Sequence, residues 1–138
     1  VPRTLPSLSF AFCVLLLWGV CASAQVTIRL VGDDAQGVRH FLDIDRIETE
    51  GDIRRYWRVQ NLPKRNEVGA LSLRTRQELN CAAKTLRDLM SVHYQGVQAS
   101  GPIVITLANK SPDFHPFSDG TPDFKIYQRV CLGLSPGS

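Results

Sequence analysis

Residues 70–81 read Ala-Leu-Ser-Leu-Arg-Thr-Arg-Gln-Glu-Leu-Asn-Cys, and their alternation restricts the fold more than any other stretch of the chain. Leu71, Leu73, Thr75, Gln77, Leu79 and Cys81 fall on one side, with Ser72, Arg74, Arg76, Glu78 and Asn80 on the other. A period of two sustained this long marks a half-buried antiparallel strand, and it aims Cys81 at the core side. Neighbouring segments extend the pattern. Residues 25–31 form a β-rich run stopped by Gly32-Asp33-Asp34, and residues 40–47 alternate, with Leu42 and Ile44 opposite Asp43 and Asp45. Residues 53–62 continue as a strand after the Glu50-Gly51-Asp52 turn. Residues 85–95 keep Leu86, Met90, Val92 and Tyr94 in phase, with Asp88 out of character, and residues 103–107 are a further apolar run.

The C-terminal part changes period. Residues 109–120 read as a loop, and Thr121-Pro122-Asp123 then match a helix start: a hydroxyl cap, proline at the first helical position and an acid in the first turn. Phe124, Tyr127 and Cys131 recur on one helical face, and Gly133 suits the C-cap. The expected fold class is α+β, an antiparallel β-sheet of about six strands with one C-terminal helix packed on a face.

Ahead of this domain, residues 10–21 are nearly all apolar. As a helix they would span about 18 Å, short of the ~30 Å hydrocarbon core. Arg3 precedes the run and Ala22-Ser23-Ala24 follows it, the order of a secretory signal peptide over residues 1–24 with a cut after Ala24. An uncleaved membrane anchor and lipidation at Cys21 are the alternatives, although Trp18-Gly19-Val20 fits a lipid-attachment box poorly. Taking 24 residues from 138 leaves a single domain of 114 residues, 25–138, and losing Arg3 lowers the formal charge from +3 to +2. That charge does not argue for nucleic acid, and no transmembrane segment is expected in the mature chain. Cys13 and Cys21 leave with the signal, so Cys81 and Cys131 remain. In an oxidising compartment they most simply form one disulfide, which would tether the helix to the strand; free or metal-bound thiols are the competing readings.

Glu78-Leu79-Asn80-Cys81-Ala82-Ala83 with Leu86, then Tyr94-Gln95-Gly96, then Arg129-Val130-Cys131 carry a resemblance. Phe41-Leu42-Asp43-Ile44 and Tyr56-Trp57-Arg58-Val59 extend it towards the N-terminus. Together they resemble the surface-adhesin E (protein E-like) family of Gram-negative bacteria across essentially the whole mature chain. The resemblance implies a sheet with a C-terminal helix tethered by a disulfide, and residues Cys81 and Cys131 carry over as that pair. It also implies secretion to the periplasm or outer-membrane surface, and adhesin activity towards host matrix proteins such as vitronectin and laminin. No ligand-binding residue carries over.

The residues themselves offer little catalytic machinery. His40, His93 and His115 each lack a second ligand at metal spacing, and the chain has no G-x-S-x-G elbow, Gly-rich phosphate loop or C-x-x-C motif. A non-enzymatic protein without cofactor or metal is expected. Asp43, Asp45, Glu48, Glu50 and Asp52 have the D-x-D spacing of a calcium loop, but the turn glycine and distal acid are misplaced; they read as a solvated strand face and hairpin rim. Arg54 and Arg58 flank Tyr56 on one phase of a strand, and Arg74 and Arg76 stand on the outward phase of another. If those strands are neighbours, the five form a solvent-facing cationic patch suited to an acidic protein segment or an anionic glycan. Cross-strand pairing of these arginines with Asp43 and Asp45 is the alternative. Phe114-His115-Pro116-Phe117 reads as a loop anchor or as a binding tip. The functional expectation is a secreted binding domain with a protein or anionic-glycan partner; the alternative is a periplasmic structural or accessory protein of the cell envelope.

Overall fold

A computed structural model describes Pro2, residues 27–110 and residues 112–134 of the protein. Apart from Pro2, the expected signal peptide, its cleavage point and Cys21 lie outside the described residues. Strands β1 (Ile28–Asp33), β2 (Arg39–Asp43), β3 (Glu48–Glu50), β4 (Ile53–Asn61), β5 (Ser72–Asn80), β6 (Thr85–Tyr94), β7 (Ile103–Ala108) and β8 (His115–Pro116) precede helix α1 (Pro122–Leu132). They form one antiparallel sheet in the order β1-β2-β4-β5-β6-β7, with β3 pairing β4 and β8 pairing β6. The six longer strands are those the alternation calls for. The two short ones come from segments without a periodic pattern, and they add on at the ends of β4 and β6.

Register decides which phase of each strand meets the helix. Residues opposite one another in an antiparallel pair project from the same face. Tyr56 pairs with Gln77, Arg54 with Leu79, Arg58 with Thr75 and Leu42 with Arg58, so these side chains share a face. Leu42, Tyr56, Leu79 and Leu86 on that face form the core with Ile126 and Tyr127 of α1; none is more than 6 % exposed. Fully burying a side chain of this size contributes about 1.5–3 kcal/mol.

The helix begins and ends as its sequence dictates. Thr121 is extended and its hydroxyl accepts the Phe124 N–H, Pro122 occupies the first turn, and Gly133 takes the left-handed conformation at φ 68°. The Leu134 N–H then donates to Gln128 O at 3.0 Å, satisfying a carbonyl of the last turn. A disulfide joins Cys81, one residue past β5, to Cys131 of α1, with Cα atoms 5.6 Å apart. Its sequence separation of 50 corresponds to roughly 4 kcal/mol of loop-closure entropy removed from the unfolded chain.

Two expectations need correction. Arg76 pairs with Met90 but Gln77 with Asp88, so Leu89 is an extra residue in β6. This bulge reverses the phase: Leu86 and Asp88 face the helix side, whereas Met90, Val92 and Tyr94 project from the opposite face. Asp88 is therefore in place, hydrogen-bonded to Gln77 Nε2 at 2.6 Å. Asp43, expected on a solvated rim, is fully buried; its carboxylate accepts the Asp45 N–H at 3.2 Å and meets Arg74 at 3.4 Å. Asp45 stays at the surface and accepts the Thr27 N–H at 3.0 Å.

Candidate functional site

The five residues expected in one patch are divided between the two faces of the sheet. Strands β4 and β5 are neighbours, but even-numbered residues of β4 pair with odd-numbered residues of β5. Arg54, Tyr56 and Arg58 therefore face α1, and Arg74 and Arg76 face away from it. Tyr56 is completely buried beneath the helix, where burial pushes its hydroxyl well above the ordinary tyrosine range.

The two arginines beside it fasten the helix at both ends. Arg58 reaches Asp123 Oδ1 in the first turn at 2.5 Å, and Arg54 Nε donates to Val130 O in the last turn at 3.3 Å. Arg54 also donates to Gly51 O at 2.8 Å. Acid at the start of a helix and a cation at its end both suit the helix dipole. The Arg-x-Tyr-x-Arg spacing is thus a cradle for α1.

Arg58 also closes a buried polar chain. Its Nε donates to His40 Nδ1 at 3.0 Å, and His40 Nε2 donates to Asp34 Oδ2 at 2.8 Å. With Arg58 donating to Nδ1, the ring is neutral and carries its proton on Nε2. Burial, followed by the Arg58 charge, holds its pKa below the usual histidine value of 6.5. Burial acts to raise Asp34, but the hydrogen bonds from His40 and the Val38 and Gln36 backbone outweigh it and keep the carboxyl below its ordinary range.

On the face opposite the helix, Trp57 is central. The Arg74 guanidinium lies 4.5 Å from its ring centroid and that of Arg76 5.6 Å. Arg76 pairs with Glu48 at 2.7 Å, and Arg74 meets Asp43. Further along, Arg55 binds Glu50 at 2.6 Å and Glu78 at 2.9 Å, and Arg87 binds Glu78 at 2.7 Å. Burial acts to raise Glu78, yet its bonds from Arg55 and Arg87 dominate and hold it below the ordinary carboxylate range. Arg87 also lies 4.3 Å from the ring centroid of Phe114. Phe117 turns the other way and meets Tyr127 of α1 at 5.6 Å, so residues 114–117 anchor the loop to both faces of the sheet. Trp57, Arg55, Arg87 and Glu78 belong to this surface without having been expected in the binding patch, and Phe114, read as part of a loop anchor or binding tip, joins them. The usable clue was the odd phase of β4, Arg55-x-Trp57, which aligns with Arg76 and Glu78 once the register is known.

A family model described as surface-adhesin protein E matches residues 28–132. The chain belongs to that family. The match begins at the first residue of β1 and ends at the last residue of α1, so it takes in the whole sheet and its tethered helix. Solved structures of protein E from Haemophilus influenzae share the fold. One crystal form is 20 % identical, with a TM-score of 0.60 over 80 % of this chain and 94 % of that one. Another is 22 % identical, with the same TM-score over 80 % and 87 %. Among curated proteins no sequence matches.

One arrangement on the helix side superficially suggests a hydrolase. Ser91 Oγ lies 3.2 Å from His93 Nε2, and His93 Nδ1 lies 3.3 Å from the Asn66 side-chain amide. The Asn66 carbonyl oxygen is already held by the Ala70 and Val68 N–H groups at 2.9 and 3.2 Å, so its NH2 group donates to His93. Nδ1 is then the acceptor, and the ring proton sits on Nε2 and points at Ser91. A general base needs the reverse tautomer. Burial also lowers the His93 pKa, and the set reads as a structural hydrogen-bonded row. Among the described residues, no group of three or more His, Cys, Asp or Glu side chains is placed to hold a metal ion, and no helix is long and apolar enough to cross a membrane.

Proposed function

We propose that this protein is an exported, non-enzymatic adhesin domain that engages a protein partner through the sheet face its helix leaves open. The observation that carries this reading is Trp57 held against two guanidinium groups on that face. Tryptophan and arginine are the residue types most enriched among side chains that dominate protein interfaces. The charge balance favours protein over anionic glycan. Arg55, Arg74, Arg76 and Arg87 are each engaged by Glu48, Glu50, Glu78 or Asp43. A polyanion gains its affinity from unpaired cations, whereas a protein surface of mixed charge can exchange these pairs one for one. Membership of the surface-adhesin protein E family supports the adhesin class, and the signal peptide read in residues 1–24 supports export to the periplasm or outer-membrane surface.

The purified protein tested against immobilised matrix proteins, envelope proteins and heparin checks the proposal. Trp57→Ala should weaken protein binding by about 2 kcal/mol, close to thirtyfold, with the fold intact by circular dichroism. Protein binding that ignores Trp57→Ala would remove this face from the reading. Salt-sensitive binding to heparin alone would return the partner to the anionic glycans. Binding confined to envelope proteins would make the protein an accessory component of the envelope.

A further inference from the structure

Around β1 the cations are not spoken for. Arg54 and Arg58 donate to α1 and its surroundings, and Arg55, Arg74, Arg76 and Arg87 are paired with acids. Among the described residues, Arg29 of β1, Arg46, and Lys125 and Arg129 of α1 form no ion pair. Arg129 Nη1 is moreover buried with no hydrogen-bond partner among the described residues. A buried charged donor left without an acceptor is costly and calls for a reason.

Three of these cations converge on the groove between α1 and β1. Arg29 stands opposite Leu42 in the ladder and so projects from the helix side of the sheet. Lys125 lies across the strand at Gly32, where an added Cβ would stand 3.0 Å from its Nζ; the glycine lets the ammonium rest on the strand. Helix α1 runs opposite to β4, because Asp123 meets Arg58 and Val130 meets Arg54. It therefore runs opposite to β1 as well. Gly32 and Arg29 face His40 and Leu42, two strand positions or about 6.6 Å apart. Lys125 to Arg129 is about 6 Å along the helix, which brings Arg129 level with Arg29. Hydrogen bonds from Thr27, and then the charges of Arg29 and Arg46, hold Asp45 below the ordinary carboxylate range. Arg46 thus flanks the Arg29 end of the groove, beside an acid already engaged by Thr27.

We propose that the α1–β1 groove binds a phosphate group, held by Arg129, Arg29 and Lys125. A phosphate monoester carries close to two negative charges at neutral pH and several strong acceptor oxygens. Each guanidinium offers a planar fork that matches two of those oxygens, and the ammonium adds a point charge. Arg129 is only partly buried as a residue. A turn about its last side-chain bonds brings Nη1 to an incoming oxygen without breaking a protein hydrogen bond, because Nη1 makes none. Asp34 and Asp123, the acids at the other end of the groove, are committed to His40 and Arg58. The site lies on the opposite face of the sheet from Trp57 and is independent of it. A soluble phosphate ester and the headgroup of an acidic phospholipid share this chemistry.

Titration calorimetry of the purified protein with inorganic phosphate at low ionic strength tests this. One site with a Kd of about 1 mM or tighter is expected, and Arg129→Gln should weaken it about tenfold. Arg29→Gln and Lys125→Gln change exposed side chains, so they keep the test valid if Arg129→Gln lowers the melting temperature; each should weaken binding about threefold to tenfold. Lys110→Gln removes the same charge beyond β7, at the far edge of the sheet, and should leave the affinity unchanged. Sedimentation with vesicles of phosphatidylcholine, with and without phosphatidic acid, separates the two sources. Arg129-dependent capture by the acidic vesicles supports a lipid headgroup, and phosphate binding without capture supports a soluble ester. Absence of both would overturn the proposal. Binding that ignores the three groove variants, or that falls equally in Lys110→Gln, would overturn it too.

Discussion

Arg58 is the most informative single residue to change, because its guanidinium ties helix, sheet and loop together. Arg58→Met keeps most of the side-chain stem and removes the contacts to Asp123 and His40. Breaking a buried ion pair by removing one partner costs about 3–5 kcal/mol. The Arg58 side chain is 8 % exposed but that of Asp123 is 28 % exposed, so water takes over part of the stranded charge and the lower end, about 3 kcal/mol, is expected. In urea that is a midpoint shift of roughly 1–3 M. The same variant has a pH signature. Folded His40 has a pKa below 6.5, so below that pH the unfolded chain binds the proton more readily. Wild-type stability therefore falls as the pH drops from about 7.5 to about 5.5. Burial is the first cause and Arg58 the second; removing Arg58 leaves Asp34 and Asp123 to favour the charged ring, so the fall should become shallower. His93 is lowered by burial in both proteins, and its contribution cancels in the comparison. A stability loss under about 1 kcal/mol, the range of exposed pairs, or an unchanged pH slope would refute the buried chain as a fastening for the helix.

Replacing Cys81 and Cys131 together by serine should cost about 4 kcal/mol from the 50-residue separation, measured by urea denaturation. Intact mass after alkylation should show no free thiol at these two positions until reductant is added. Tyr56→Phe should leave stability unchanged or raise it by thermal melting, because the buried hydroxyl has no hydrogen-bond partner among the described residues. Thr121→Ala should cost about 1 kcal/mol through loss of the helix cap, seen as a lower midpoint in the same urea titration.

What the sequence determined by itself was everything set within a few residues. The strand over Ser72–Asn80 follows from alternation, and the limits of α1 follow from Thr121, Pro122 and Gly133. Cys81 lies just past one element and Cys131 within the other, each on a core-facing phase, so their disulfide was legible as well. These features depend on local sterics and local hydrogen bonds, which a short window of residues contains. The two faces of the sheet were a different matter. Whether Tyr56 or Trp57 shares a face with Arg74 depends on a single step of register between β4 and β5, set by how residues 62–71 close the hairpin. An extra residue at Leu89 then reverses half of β6. A one-residue shift moves every side chain to the other face, and no local pattern records it. Only the tertiary structure therefore decided that Arg54, Tyr56 and Arg58 hold the helix, and that Trp57 lies against the two other arginines on the opposite face.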